Sequence, residues 1–297
     1  MTVKSQIENL KSLELVIEDE SYAKSFLNDV SYFRVIKAYS LGLKPRNGMY
    51  NGNVTFSQIV DLYKFNANFR HLLFPVIEQV EVNLRCRVGN YVSCKYGVLG
   101  YEESTNFANP EYHQEFLSDI DDEVRRNAKS PFVRKFGRNY KDGKIPMYAL
   151  VELFSFGTLS KFYKNMQNPD KKAIAGTYGV EYTYFGSWIE SIAYVRNLCA
   201  HYGRLYNAIL PKKPMMYKGS TSIVGVAKKN KYQVVSSGNS RHDFYAWENK
   251  ILFLKLRKFR IPKQTRFKTL VLLLQPSMKP FDHGTSMELR ISSDQLR

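Results

Sequence analysis

Residues 55–88 read TFSQIVDLYKFNANFRHLLFPVIEQVEVNLRCRV, and this stretch decides the fold class. Its apolar residues, among them Ile59, Phe65, Phe69, Leu73, Ile77, Val80, Leu84 and Val88, recur at steps of three and four. That is the spacing of one face of an α-helix, not the alternation of a strand. Thr55 is the candidate N-cap, because its hydroxyl can accept a backbone N–H of the first turn. The pattern predicts a long helix to about Cys94. Pro75 should kink or divide it, since proline removes a backbone donor and crowds the preceding turn.

Outward from this segment, helical spacing continues. Toward the N-terminus, Ile7, Leu10, Leu13 and Leu15 mark one helix, and the acidic run at 18–20 opens a second through Tyr22, Phe26 and Leu27. Residues 42–53, rich in Gly, Asn and Pro, form a loop. Toward the C-terminus, 97–110 reads as a loop, with helices expected over 111–128, 147–165 and 171–179 and another from near Tyr184. After Leu210 the character changes. Pro211-Lys-Lys-Pro214 breaks the helix, and Ser222-Ile-Val-Gly-Val-Ala with Tyr232-Gln-Val-Val-Ser surrounds Lys228, Lys229 and Lys231. That pattern predicts a basic-tipped β-hairpin. A last helical region, about 244–260, ends in Lys255, Arg257, Lys258 and Arg260. The expected fold is mainly α with a small β-hairpin toward the C-terminus. The expected organisation is a helical domain over 1–210, with a basic region over 211–297 packed on it or continuous with it.

A formal charge of +17 favours a polyanion, an anionic membrane face or an acidic partner. From His201 onward there are 19 Lys or Arg against 5 Asp or Glu, so +14 of the +17 lies in the last third. No apolar run approaches the roughly 18 residues that span a bilayer, and the first residues lack the basic-then-apolar order of a signal peptide. The three cysteines, Cys86, Cys94 and Cys199, have no metal-ligand spacing, and His71, His113, His242 and His283 have no Cys or carboxylate partners at such spacing. A reduced, cytoplasmic protein without metal or cofactor is expected.

Chemistry concentrates in Tyr194-Val-Arg-Asn-Leu-Cys-Ala-His201. Placed on a helix over 186–207, Trp188, Ile192, Val195, Leu198 or Cys199, and Tyr202 form an apolar stripe. Asn197, His201 and Arg204 form a polar one at steps of four and three. Arg196 lies about 140° from His201 around an ideal helix, so only a long reach or an irregular helix end brings the two together. An imidazole moves protons near neutral pH, a guanidinium grips phosphate bidentately, and an amide can hold a hydroxyl. The set suits cleavage of RNA, whose 2′-OH supplies the nucleophile. On spacing alone, a hydrogen-bonded structural histidine is the commoner occurrence.

A family likeness bears on that choice. Residues 191–207, SIAYVRNLCAHYGRLYN, resemble the core of the Abi abortive-infection family (AbiD/AbiF type), whose signature is close to YVRNxCAHxxRLWN. Three further blocks agree in order: VSYFRVIKAY at 30–39, the 55–88 stretch, and LVELFSFGTLSKFYKNM at 150–166. The likeness covers about 5–210. It departs at Pro75, where a helix-compatible residue is usual, and at Tyr206, where Trp is usual. The family is in turn similar to the HEPN superfamily, all-α ribonucleases and RNA-binding proteins with an arginine shortly before a histidine. The resemblance implies an HEPN-like helical bundle in which Arg196, Asn197 and His201 are catalytic and two copies of the motif face each other in a homodimer. It also implies an antiphage endoribonuclease, or alternatively a non-catalytic module that holds a small structured non-coding RNA. A toxin silenced by an antitoxin protein is a third reading.

Other residues stay open. Glu78, Glu81 and Arg85 either reach the site or form an ion-pair row, and Tyr32, Arg34 and Tyr39 either touch RNA or pack. Arg204 and the basic stretches with Lys228, Lys229, Lys231, Lys255, Arg257, Lys258 and Arg260 are candidate RNA contacts. Aromatic neighbours such as Tyr232 and Phe259 are available there to stack on bases.

Overall fold

The computed structural model describes residues 2–40, 43, 48–50, 52–139, 143–205, 208 and 210–215. Side-chain caps punctuate the chain. Thr2 opens α1 (Val3–Ser12) and Asp19 opens α2 (Glu20–Asp29), each accepting a first-turn N–H. A π-helical turn follows at Phe33–Lys37. Then comes α3 (Phe56–Tyr96), 41 residues long. The Thr55 hydroxyl accepts from the Gln58 N–H at 3.2 Å, and the Gln58 side chain accepts from the Thr55 N–H at 3.0 Å, so the expected N-cap is a reciprocal capping box.

Pro75 does not divide α3. The hydrogen bond it forfeits is to the carbonyl of His71, and both residues are exposed. Water can satisfy that carbonyl, while Leu73 and Ile77 stay buried and hold the helix from the opposite face.

The remaining helices wrap this spine. They are α4 (Pro110–Arg126), α5 (Pro131–Asn139), α6 (Met147–Leu150), α7 (Phe156–Asn165), α8 (Asn168–Gly176) and α9 (Tyr182–Ala200). The single helix expected over 147–165 is two. After a 3-10 turn at Val151–Leu153, Phe154 is extended, and the Ser155 hydroxyl restarts the helix by accepting from the Thr158 N–H at 3.0 Å. Helix α5, opened by Pro131, was hidden because nine residues give too few repeats of the period. Helix α8 begins at Asn168, ahead of the expected start at residue 171. Among the described residues there is no strand, only isolated bridges at Val16–Thr55 and Phe107–Met166. The hairpin expected around Lys228 to Lys231, and the helical region over 244–260, lie outside the described residues.

Two apolar cores share α3. Its first turns (Phe56, Ile59, Val60) bury against Ile7, Leu10, Leu27 and Ile36. From Leu73 onward it buries against α4 to α9, where Phe156, Phe162, Phe185, Ile189 and Ile192 sit almost fully enclosed. Between the cores, the buried residues of α3 are Phe65 and the polar Asn66 and Arg70.

Near the far end of α3, the fully buried Asp170 of α8 accepts from the Tyr91 hydroxyl at 2.9 Å, the Tyr96 hydroxyl at 2.7 Å, and the Lys95 ammonium. Burial pushes this carboxyl up, but the bonds from Lys95, Tyr96 and Tyr91 outweigh it and hold Asp170 below the usual carboxylate range.

Pro75→Ala restores a helix bond at an exposed site and should stabilise the protein by about 1–3 kcal/mol, whereas Thr55→Ala should cost about 1 kcal/mol; urea denaturation reads both. Asp170→Asn should cost about 1.5–3 kcal/mol at neutral pH. Because the folded pKa of Asp170 is depressed, its contribution is present above the unfolded value near ~3.9 and is lost as pH falls through the lower folded value. The stabilities of wild type and variant should therefore converge on acidification.

Candidate functional site

The site is assembled where α9 ends against the middle of α3. Glu181 starts α9 by accepting from the Thr183 N–H at 3.0 Å, and Phe185, Trp188, Ile189, Ile192, Val195 and Cys199 bury one face. The expected apolar stripe is therefore present as far as Cys199. Trp188 donates from Nε1 to the Met215 carbonyl at 2.7 Å, and the Ser191 hydroxyl donates to the Lys212 carbonyl at 3.0 Å. The first residues beyond Leu210 are thus laid back along α9.

Arg196 lies beside that stripe and is partly buried. Its Nε donates to Oε2 of Glu81 at 3.1 Å. The other oxygen of Glu81 accepts from Arg85, whose Nη1 also donates to the Val151 carbonyl at 2.7 Å. Glu81 and Arg85 are therefore an ion pair in the core that also reaches the candidate site. One shielded carboxylate balances two guanidiniums. Glu78, one turn earlier, is exposed and makes no ion pair among the described residues. With Nε committed to Glu81, the terminal nitrogens of Arg196 are those left for a ligand, one of them 3.5 Å from Oδ1 of the exposed Asn197.

The helix ends earlier than the sequence suggests. Ala200 is its last residue and His201 its C-cap, exposed, with its N–H on the Asn197 carbonyl at 3.0 Å. Asn197 and His201 thus keep their one-turn relation. Tyr202 then turns left-handed (φ 57°), its N–H bonds the Cys199 carbonyl at 3.3 Å, and the Gly203 N–H bonds the Leu198 carbonyl at 2.7 Å. These paired bonds are a Schellman cap, in which the left-handed position is usually glycine because a side chain there costs about 1–2 kcal/mol. The glycine is spent one position later, at Gly203, where a Cβ would meet Leu198 Cδ2 at 2.8 Å and its carbonyl oxygen at 3.1 Å. Two expectations are corrected by this turn. Arg204 does not continue the Asn197–His201 row, and Tyr202 leaves the apolar stripe to stand 66% exposed.

The polar seam of α3 receives the turn. Arg70 Nη1 and Asn66 Nδ2 donate to the Gly203 carbonyl at 3.2 and 3.4 Å, and Asn66 Oδ1 accepts from the Leu205 N–H at 2.8 Å. Arg34, on the π-helical turn, donates to the Tyr202 carbonyl at 3.5 Å and lies over the Tyr202 ring at 5.9 Å. Burial raises the Tyr39 phenol, while the charges of Arg70, which bonds it, and Arg204 draw it back. Of the residues left open, Tyr39 and Arg34 therefore adjoin the turn, and the Tyr32 hydroxyl accepts from Asn9 at 3.3 Å. Asn66 and Arg70 escaped sequence reading. Their signal is register: both fall on the helical face of Ile59 and Ile77, where a polar side chain has to find a buried partner.

Arg34, Arg70 and Arg204 make no ion pair among the described residues, and Glu81 alone neutralises Arg85 and Arg196. The site is therefore cationic and suited to an anion. Burial pushes the Cys199 thiol up to about 11, with Arg70 opposing, so at neutral pH it packs as an apolar group. No hydrogen bond among the described residues joins Arg196 to His201. No group of three His, Cys, Asp or Glu converges there as metal ligands do, and no described helix is long and apolar enough to cross a membrane. Lys228, Lys229, Lys231, Lys255, Arg257, Lys258 and Arg260 lie outside the described residues.

Among comparisons with known proteins, the family model described as Abi-like protein matches residues 25–207, 183 of the 297 residues. No curated protein and no solved structure matches the chain.

The burial contrast predicts a split in stability. Glu81→Ala strands two guanidiniums and should cost about 3–5 kcal/mol in chemical denaturation. Asn197→Ala and His201→Ala, both at exposed positions, should stay within about 0.5 kcal/mol of wild type.

Proposed function

The chain belongs to the Abi-like protein family, and from that premise we propose that it is a cytoplasmic antiphage abortive-infection protein acting on RNA as an HEPN-type, metal-independent endoribonuclease. The observation that carries the reading is the cationic end of α9, where Arg196 is braced by Glu81 and exposed His201 caps the helix. The 2′-OH of a bound nucleotide attacks the adjacent phosphorus, and the bond to the 5′-oxygen breaks. His201 accepts the 2′-OH proton or supplies one to the leaving oxygen. The terminal nitrogens of Arg196 stabilise the extra negative charge on the phosphorane oxygens, and Asn197 holds a hydroxyl or a phosphate oxygen. The products are a 2′,3′-cyclic phosphate and a 5′-OH. A homodimer that brings two such helix ends together supplies a second Arg–His pair. Arg204 and the basic C-terminal region hold the RNA backbone.

One observation favours a second reading. Within one protomer Arg196 is tied to Glu81 and has no bond to His201 among the described residues, an arrangement that also suits a non-catalytic module holding a small structured RNA.

The discriminating assay is cleavage of labelled RNA in EDTA, with end-group analysis. Wild type should yield cyclic phosphate ends, and His201→Ala and Arg196→Ala should each lose about 10²–10⁴-fold in rate. Equal activity in all three, or loss of wild-type activity with EDTA, overturns the mechanism. A discrete co-purified RNA bound without turnover supports the second reading.

A further inference from the structure

Tyr202 is the residue at this site that packing does not explain. Its backbone occupies the left-handed region, where glycine is the ordinary choice and a bulky side chain is an outlier. Its ring does not bury in return, because 66% of the residue remains exposed. Strain that local packing does not repay is a mark of function when it sits beside reactive groups. Here the neighbours are His201 on one side and the cationic Gly203–Arg204 turn on the other. The turn itself is not free to reposition the ring. It is held by the Schellman pair, by Asn66 and Arg70 on the Gly203 carbonyl, and by Arg34 on the Tyr202 carbonyl. Arg34 also stands over the ring at 5.9 Å and has no carboxylate partner among the described residues.

We propose that Tyr202 is a base-stacking platform: its exposed ring receives a nucleobase next to the phosphate addressed by Arg196 and His201, and Arg34 backs the ring and draws the neighbouring phosphate. The inference rests on the RNA reading above and adds to it the element that grips a base. Every nucleobase has a π-face, so the platform orders a single-stranded nucleotide without selecting its sequence. The backbone that carries His201 is the backbone that carries the ring, so the stacked nucleotide is positioned against the imidazole by one rigid turn.

The test uses the full chain and a short fluorescein-labelled single-stranded RNA with 2′-fluoro sugars, which lack the nucleophile. The RNA is used intact and with single abasic positions. Tyr202→Gly places glycine in the left-handed position, so its melting temperature should rise while its Kd for the intact RNA weakens about tenfold, the loss of one stacked base. Tyr202→Phe should keep wild-type affinity. In wild type, one abasic position should weaken binding by a similar factor, and in Tyr202→Gly that position should carry no further penalty. If Tyr202→Gly binds like wild type, or if the abasic penalty persists in it, the platform is overturned while RNA binding stands. Failure of wild type to bind the RNA at all overturns both readings.

Discussion

A carboxylate removed from water must be balanced where it lies, and Glu81 is balanced twice, by Arg85 from its own helix and by Arg196 from α9. The first pair is local, four residues apart on α3. The second crosses from helix to helix and fixes which face of α9 meets the spine. Once Arg196 is turned to Glu81, the apolar stripe of α9 from Phe185 to Cys199 has only the large core to enter. Its chain end then arrives opposite the seam between the two cores. There the Gly203 carbonyl meets the buried donors of Asn66 and Arg70. Electrostatics and burial thus agree on a single placement, and that agreement is what makes one packing win over its rivals.

The fold was legible wherever a period ran long enough to be heard. Helix α3 shows in the sequence through repeated apolar positions and a capping residue, and the helical spacing over 147–165 is met by two helices in place of one. The break at Phe154 and Ser155 was missed because one extended residue and one hydroxyl suffice to interrupt an otherwise continuous pattern. Pro75 misled in the opposite direction. Its cost depends on whether the orphaned carbonyl sees water, which is a property of the packed helix rather than of the dipeptide.

Within the candidate site, Arg196, Asn197 and His201 stand out in the sequence because their chemistry is in their side chains. The helix end between His201 and Gly203 could not. Periodicity carried the helix smoothly to Asn207, yet the Gly203 that could have signalled termination does not occupy the left-handed position itself. Asn66 and Arg70 were equally silent. A buried polar residue becomes meaningful only when the carbonyl it satisfies is known, and that carbonyl lies 133 positions away along the chain for Arg70.

Helix α3 holds the two anchors of the site in one rigid register. Arg70, which grips the turn, and Glu81, which orients Arg196, lie eleven residues apart, close to three full helical turns. They therefore face the same way because of the count of residues between them, not only because of their identities. Adding or deleting one residue in that interval would swing one anchor about 100° around the axis relative to the other. Substitutions there can be absorbed one side chain at a time, but a change of length cannot. Over its middle turns, α3 is thus a ruler whose length is under constraint even at the exposed positions where composition is free.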